Sequence, residues 1–295
     1  MILEVLRPEP ELLRATAAAL RIAYYVASLR AAGLAIFSLG FGSLQDPQDV
    51  AACRQATLGM VVIGLAASGA WLTSQVALAS DGDVLDVEIW GVMLTSRPGV
   101  SVLITWAGLL AIGIATWIGR STIVLGVAGI LTVAGSFTAV GHTTQHQPRA
   151  LLAAALILHL LAVSFWAGSL WPLALAAKRG GPTAARLIEG WARAAARIVG
   201  ALLLAGSILA WLLVGSVEVL ATTAYGWALM IKVALVGVLL GFAAWHKLWL
   251  TPALAANAPG SGTRLAASIG WETVVMILVF WAVAEMTSTS PQGEG

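Results

Sequence analysis

The chain has 295 residues, of which 59% are hydrophobic and only 10% charged, with a mean hydropathy of +0.91. Soluble domains carry roughly 25% charged residues, so this composition leaves too little polar surface to cover a water-soluble globule. A formal charge of +2 is too small to mark a nucleic-acid binder, and one cysteine, Cys53, excludes an internal disulfide and any CxxC metal or redox motif.

Apolar stretches of about 20 residues, the length that crosses a bilayer, follow one another almost end to end. The expected fold is all-α: a polytopic membrane bundle of about eight transmembrane helices, forming one membrane domain over residues 1–295. Glu4, Arg7, Glu9, Glu11 and Arg14 interrupt any signal-peptide core ahead of the first span. The predicted spans are roughly 22–44, 57–79, 99–119, 122–141, 150–176, 193–215, 226–249 and 267–286. Asp46-Pro47, Arg97-Pro98-Gly99, Arg120, Glu218 and Ala258-Pro259-Gly260 are among the breakers between them. Segments 80–98 and 178–192 read as longer polar or amphipathic linkers, and 287–295 as a disordered tail.

An even span count puts both termini on one side. The loops after spans 1, 3, 5 and 7 hold Arg54, Arg120, Lys178, Arg179, Arg186, Arg193, Arg197, Lys247 and Arg264. The other side holds Arg7, Arg14, Arg21, Arg97 and Arg149. Because cytoplasmic loops collect Lys and Arg, both termini are expected outside the cytoplasm. Two short correspondences, SGAWL (68–72) with ILAWL (208–212) and LTSRPG (94–99) with TTAYG (222–226), suggest two parallel four-helix repeats over 22–141 and 150–286.

Ionisable residues inside a membrane are costly and mark function by default. Arg30 falls in span 1, Lys232 near the start of span 7 and Glu272 near the start of span 8. Spans 7 and 8 enter from opposite sides, so Lys232 and Glu272 are not expected to touch. Glu272 is expected to meet backbone carbonyls, hydroxyls or water. In GHTTQHQP (141–148), His142 and His146 are four residues apart and share a face if the helix continues, as a metal pair would. His159 lies about 15 Å down span 5 at the helical rise, either as a metal ligand or proton relay, or as a neutral imidazole bonded to a neighbouring helix. A site shared by the three histidines is physically reachable; if one metal does not span them, His142 and His146 form an entry site and His159 a second, deeper one. His246, beside Lys247 at the inner end of span 7, reads as an interfacial cation. Met93, Met230 and Met286 fall near the outer face, where thioether sulfur suits Cu(I), although packing is methionine's ordinary role. Tryptophans at span ends, such as Trp90, Trp191, Trp227, Trp249 and Trp271, form an aromatic belt; Trp166 at mid-span is the exception. Walker A, HExxH and GxSxG strings are absent, and no enzyme activity is expected.

The second half resembles the copper resistance protein D family of bacterial inner-membrane proteins. The resemblance rests on GHTTQHQP, HLLAVSFWAGSLWPL (159–173), the stretch from Tyr225-Gly226 through Lys232 to Thr251-Pro252, and Gly270-Trp271-Glu272. His159 with Trp166 and Gly168, Tyr225-Gly226 with Lys232, and Glu272 match the family pattern; His246-Lys247 departs from its asparagine-arginine pair. The first half is similar only in span count and apolar texture. The resemblance implies a copper-binding protein, taking Cu(I) or Cu(II), that acts in uptake or transfer across the inner membrane. It also implies a periplasmic copper-binding partner of the C type, and an outside N-terminus in agreement with the charge count. The alternatives are a haem b electron carrier with paired histidines and a proton-coupled carrier of another solute using Lys232 and Glu272. The sequence sets no oligomeric state.

The orientation has a direct test. A C-terminal reporter active only in the periplasm is expected to be active, and activity of a cytoplasm-only reporter at that position would reverse the topology.

Overall fold

A computed structural model describes residues 10–141, 146–214 and 217–288 of the chain. Its elements are α1 (Pro10–Phe41), α2 (Pro47–Ala79), α3 (Val87–Thr95), α4 (Arg97–Ile118), α5 (Ile123–Ser136), α6 (Arg149–Arg179), α7 (Gly181–Val214), α8 (Val217–Thr222), α9 (Ala224–Trp245), a π turn (His246–Leu250), α10 (Thr251–Ala255) and α11 (Ser261–Ser288). The starts follow capping chemistry. Asp46 accepts from the Gln48 N–H ahead of α2, Asp86 from Glu88 and Ile89 ahead of α3, Ser96 from Gly99, and Thr223 from Gly226. Each side chain satisfies amides that a helix leaves unpaired at its first turn.

The protein is a multi-pass helical membrane protein. Among the described residues, seven helical rods are long and apolar enough to cross a bilayer, with α9, the π turn and α10 counting as one from Ala224 to Ala255. The eighth expected span is the shorter apolar helix Ile123–Ala139, α5 with its terminal 3-10 turn. It runs back along α4. Ser101 near the start of α4 donates to the Ser136 carbonyl at the end of α5 at 2.9 Å, while Gly126 meets Ala115 near the other end.

The two expected linkers are largely helical. Segment 80–98 contains α3 and the first residues of α4, and 178–192 is the end of α6 and the opening turns of α7. Gly180 and Gly181, at φ 69° and 81°, reverse the chain in two residues, a conformation open to glycine without steric cost. Ala184, Leu187 and Ile188 then bury one face of α7 while Arg186 and Glu189 face outward. The charges that suggest a linker are therefore the exposed stripe of an amphipathic helix.

Helix α6 is the hub, packed on α1, α7 and α11. In each half the first long helix packs on the second and the fourth, and the third on the fourth. We propose the parallel repeat on this order, with two differences: α4 packs on both α1 and α2, whereas α9 makes no substantial contact with α6 or α7. Arg179 at the end of α6 grips the start of α2, its Nη2 2.6 Å and its Nε 3.3 Å from the two oxygens of buried Asp49, with Asp46 3.7 Å away.

Small residues govern the crossings, as expected where no aqueous hydrophobic effect drives helices together. A Cβ added to Gly33 of α1 would lie 1.8 Å from the Ser164 carbonyl oxygen of α6, and one on Gly168 would lie 2.2 Å from the Gly33 carbonyl carbon. Gly108 and Gly129 similarly bring α4 against α5. Gly33→Ala and Gly168→Ala are expected to lower stability by about 2–3 kcal/mol each through forced backbone separation. Gly59→Ala, with open space at its Cβ, is expected to change it little. Thermal unfolding of the purified protein in detergent measures the difference.

Candidate functional site

Glu272 is only 2% exposed, about three turns into α11. A carboxylate at that depth must find partners within the protein. The indole Nε1 of Trp166 on α6 donates to its Oε1 at 2.5 Å. Nδ1 of His246 lies 3.5 Å from its Oε2. The other nitrogen of that imidazole, Nε2, is 2.8 Å from the Ser268 hydroxyl, one turn before Glu272 on the same face of α11.

Local backbone chemistry puts His246 there. Pro252 has no N–H, and in a regular helix its ring would strike the carbonyl four residues earlier. The chain widens into the π turn just before it, and the Thr251 N–H reaches back to the His246 carbonyl. Such single π turns recur at functional sites.

The cluster forms one wall of a cavity of about 200 Å³ bounded by Phe165 and Trp166 of α6, Trp191 of α7, and His246, Lys247 and Glu272. The cavity occupies the space where α7 and α9 fail to pack. Trp191 stacks on Phe165 at 5.8 Å with the rings 5° apart, and its indole nitrogen is buried without a hydrogen-bond partner. Trp191 lines this cavity, whose wall is mostly apolar apart from His246, Lys247, Thr251 and Glu272.

The other predicted residues fall elsewhere. His142 lies outside the described residues. His146 is half-buried just ahead of α6. His159 turns its ring toward α7, against Gly206, with Nδ1 buried and unpartnered. Arg149 and His159 are about 15 Å apart along α6 at the helical rise, so one ion does not bridge His146 and His159. Arg30 is half-buried in α1 with its Nε unpartnered. Met93 in α3 accepts from the Ser96 hydroxyl at 3.6 Å; Met230 is half-buried in α9; Met286 is buried against Tyr225 and Leu229. Among the described residues, no three or more His, Cys, Asp or Glu side chains converge as a metal cluster.

One expectation about this region needs correction. His246 is a half-buried partner of Glu272 and Ser268 rather than an interfacial cation, because the π turn swings it toward α11. Glu272 meets an indole and an imidazole, and among the described residues Lys232 is not one of its partners. Sequence held a usable signal: His246 and Glu272 lie at matching distances from the connection between their antiparallel spans, so they sit at one depth.

These features define a multi-pass helical membrane protein whose polar centre is an intramembrane carboxylate. A family model described as Copper resistance protein D matches residues 185–286, and one described as Copper resistance protein D-like, N-terminal domain matches residues 12–149. The chain belongs to the copper resistance protein D family. The first-half match extends the resemblance to a region where texture alone suggested it, while His159, Trp166 and Gly168 lie between the matched ranges. Comparison with curated proteins gives no match, and comparison with solved structures gives none.

Glu272→Ala is expected to destabilise the fold by about 2–4 kcal/mol, since it strands the Trp166 indole and opens space beside it. Glu272→Gln retains an acceptor for the indole and is expected to cost less than half as much. Thermal denaturation of the two variants in one detergent tests the order.

Proposed function

We propose that the protein moves copper inward across a bacterial inner membrane, or hands it on there, with copper as cargo and no bond-making step of its own. The observation that carries this reading is Glu272. A carboxylate buried at intramembrane depth, in a helix matched by the copper resistance family model, is expensive to maintain and points to an ion pathway. Nitrogen and oxygen donors lie at successive depths along α6: His146 ahead of it, His159 about 15 Å beyond Arg149, and the Trp166, Glu272 and His246 cluster about 10 Å further. Imidazole accepts both oxidation states of copper, while Met93, Met230 and Met286 offer softer donors toward the outer face.

In this reading both termini are periplasmic. The outer face, with His142, His146 and the acidic residues Asp81, Asp83, Asp86 and Glu88, receives copper from a periplasmic copper-binding protein of the C type. The haem b reading gains nothing from the geometry, since His159 and His246 sit at different depths among the described residues.

Copper influx into proteoliposomes carrying a trapped copper-sensitive dye tests the proposal. The intact protein is expected to raise influx well above protein-free vesicles, and His159→Ala and Glu272→Gln to reduce the increment by about tenfold or more, the scale on which metal-site substitutions act. Influx equal to that of empty vesicles would overturn transport.

A further inference from the structure

The spans containing α7 and α9 are the least enclosed among the described residues. Only 11% and 6% of their most apolar stretches are buried inside the protein, against 33% to 61% in the other five. The two helices make no substantial contact with each other, so a lateral opening runs between them. Ala196 of α7 and Ala244 of α9 line the cavity and are also exposed at the surface. Positions seven apart on a helix share a face. Leu203, seven beyond Ala196, and Gly237, seven before Ala244, continue those two faces away from the cavity and are exposed as well. Cavity and furrow form one slot that opens sideways.

One end of the slot lies at headgroup level. Trp245 and Trp249 sit two residues to either side of Lys247, are 51% and 56% exposed, and hold their rings 5.2 Å apart. Exposed tryptophans of this kind collect at the membrane–water interface. Lys247 is exposed and lines the cavity together with Thr251. It forms no ion pair with another described residue. The one carboxylate of the wall, Glu272, has its oxygens beside Trp166 and His246 instead. Lys247 is therefore left to an anion from outside the chain.

The rest of the wall decides what carries that anion. Leu173, Ile188, Ala192, Ala195 and Val199 are apolar, and water held in a cavity needs two to four polar partners. An acyl chain needs none and gains contact with every one of these side chains. A molecule with an anionic group at interface level and a hydrocarbon chain below it matches both ends of the slot. Basic pockets between membrane helices on the cytoplasmic side take phospholipid headgroups in this way, and the Lys and Arg distribution puts Lys247 on that side.

We propose that the slot between α7 and α9 seats one phospholipid of the inner leaflet. Its phosphodiester is held by Lys247 and Thr251, and one acyl chain lies past Ala196 and Ala244. The seated lipid covers the side of the cavity that the protein leaves open, and so closes the Glu272 cluster off from the surrounding bilayer. The site is independent of whether copper crosses the protein.

Native mass spectrometry of the full-length protein, purified in a mild detergent, is the test. The main species is expected to carry one phospholipid. Delipidated protein is expected to regain one on titration with phosphatidylglycerol, and inorganic phosphate not to compete for it. Lys247→Gln is expected to weaken phosphatidylglycerol binding about fivefold. Ala196→Phe and Ala244→Phe fill the slot and are expected to remove the lipid. Arg193→Gln, which removes an exposed cation of α7 outside the cavity lining, should leave it in place. Size-exclusion elution and helical circular dichroism identify the folded variants, and Lys247→Gln, at an exposed side chain, decides the matter if the phenylalanine variants do not fold. A wild type without bound lipid overturns the proposal, as does a second copy of the chain found in the lipid's place. Displacement by inorganic phosphate overturns it, and so does binding unchanged in Lys247→Gln or in a folded phenylalanine variant.

Discussion

The contact between Gly33 and Gly168 is the constraint on which the rest of the arrangement depends. Helix α1 belongs to the first half of the chain and α6 to the second, and at this crossing their backbones touch with no side chain between them. At 100° per residue, positions two apart on a helix lie on nearly opposite faces. Gly168 faces α1, and Trp166 faces α11. The residue between Ser164 and Trp166, Phe165, turns toward α7 and stacks on Trp191. One helical turn of α6 thus sets three interfaces at once, and shifting it against α1 would move the indole that holds Glu272.

Buried polarity is divided between the halves in different ways. In the first half Tyr24, Thr105 and Ser136 form a chain of hydroxyls with oxygen separations of 2.9 and 2.8 Å, closed over by the stacked rings of Trp71 and Phe137. Every hydroxyl there has a partner and the cluster borders tightly packed helices. In the second half the polar cluster borders a void, and the helices that would close it, α7 and α9, stand apart. The same four-helix order therefore yields a sealed structural core on one side and an accessible polar centre on the other.

Much of the fold was legible because a bilayer leaves few choices. Apolar length locates each span, while α1, α2 and α7 begin at Pro10, Pro47 and Gly181, well ahead of the expected residues 22, 57 and 193. The stretch 178–192 reads as a polar or amphipathic linker because of its charges, Arg186 and Glu189 among them; Ala184, Leu187 and Ile188 recur at helical spacing and make most of it the amphipathic opening of α7. The site was half legible. Glu272 stands out by its cost in an apolar segment, and Trp166 as a tryptophan far from either interface. His246 did not stand out, because its role depends on a π turn and on the neighbour that α9 chooses. Pro252 hints at the first, while only tertiary packing gives the second.

The shortness of α5 has a consequence for the membrane itself. Fourteen α-helical residues and a three-residue 3-10 turn extend about 27 Å at their respective rises, against a hydrocarbon core of about 30 Å. Helices α6 and α7, with 31 and 34 residues, exceed that thickness by half or more. Hydrophobic mismatch of this kind is relieved by drawing lipid headgroups toward the short segment or by letting the long ones tilt and project. The protein consequently presents the bilayer with a thin edge along α5, while the charged opening turns of α7, with Arg186 and Glu189, extend past the apolar part of that helix.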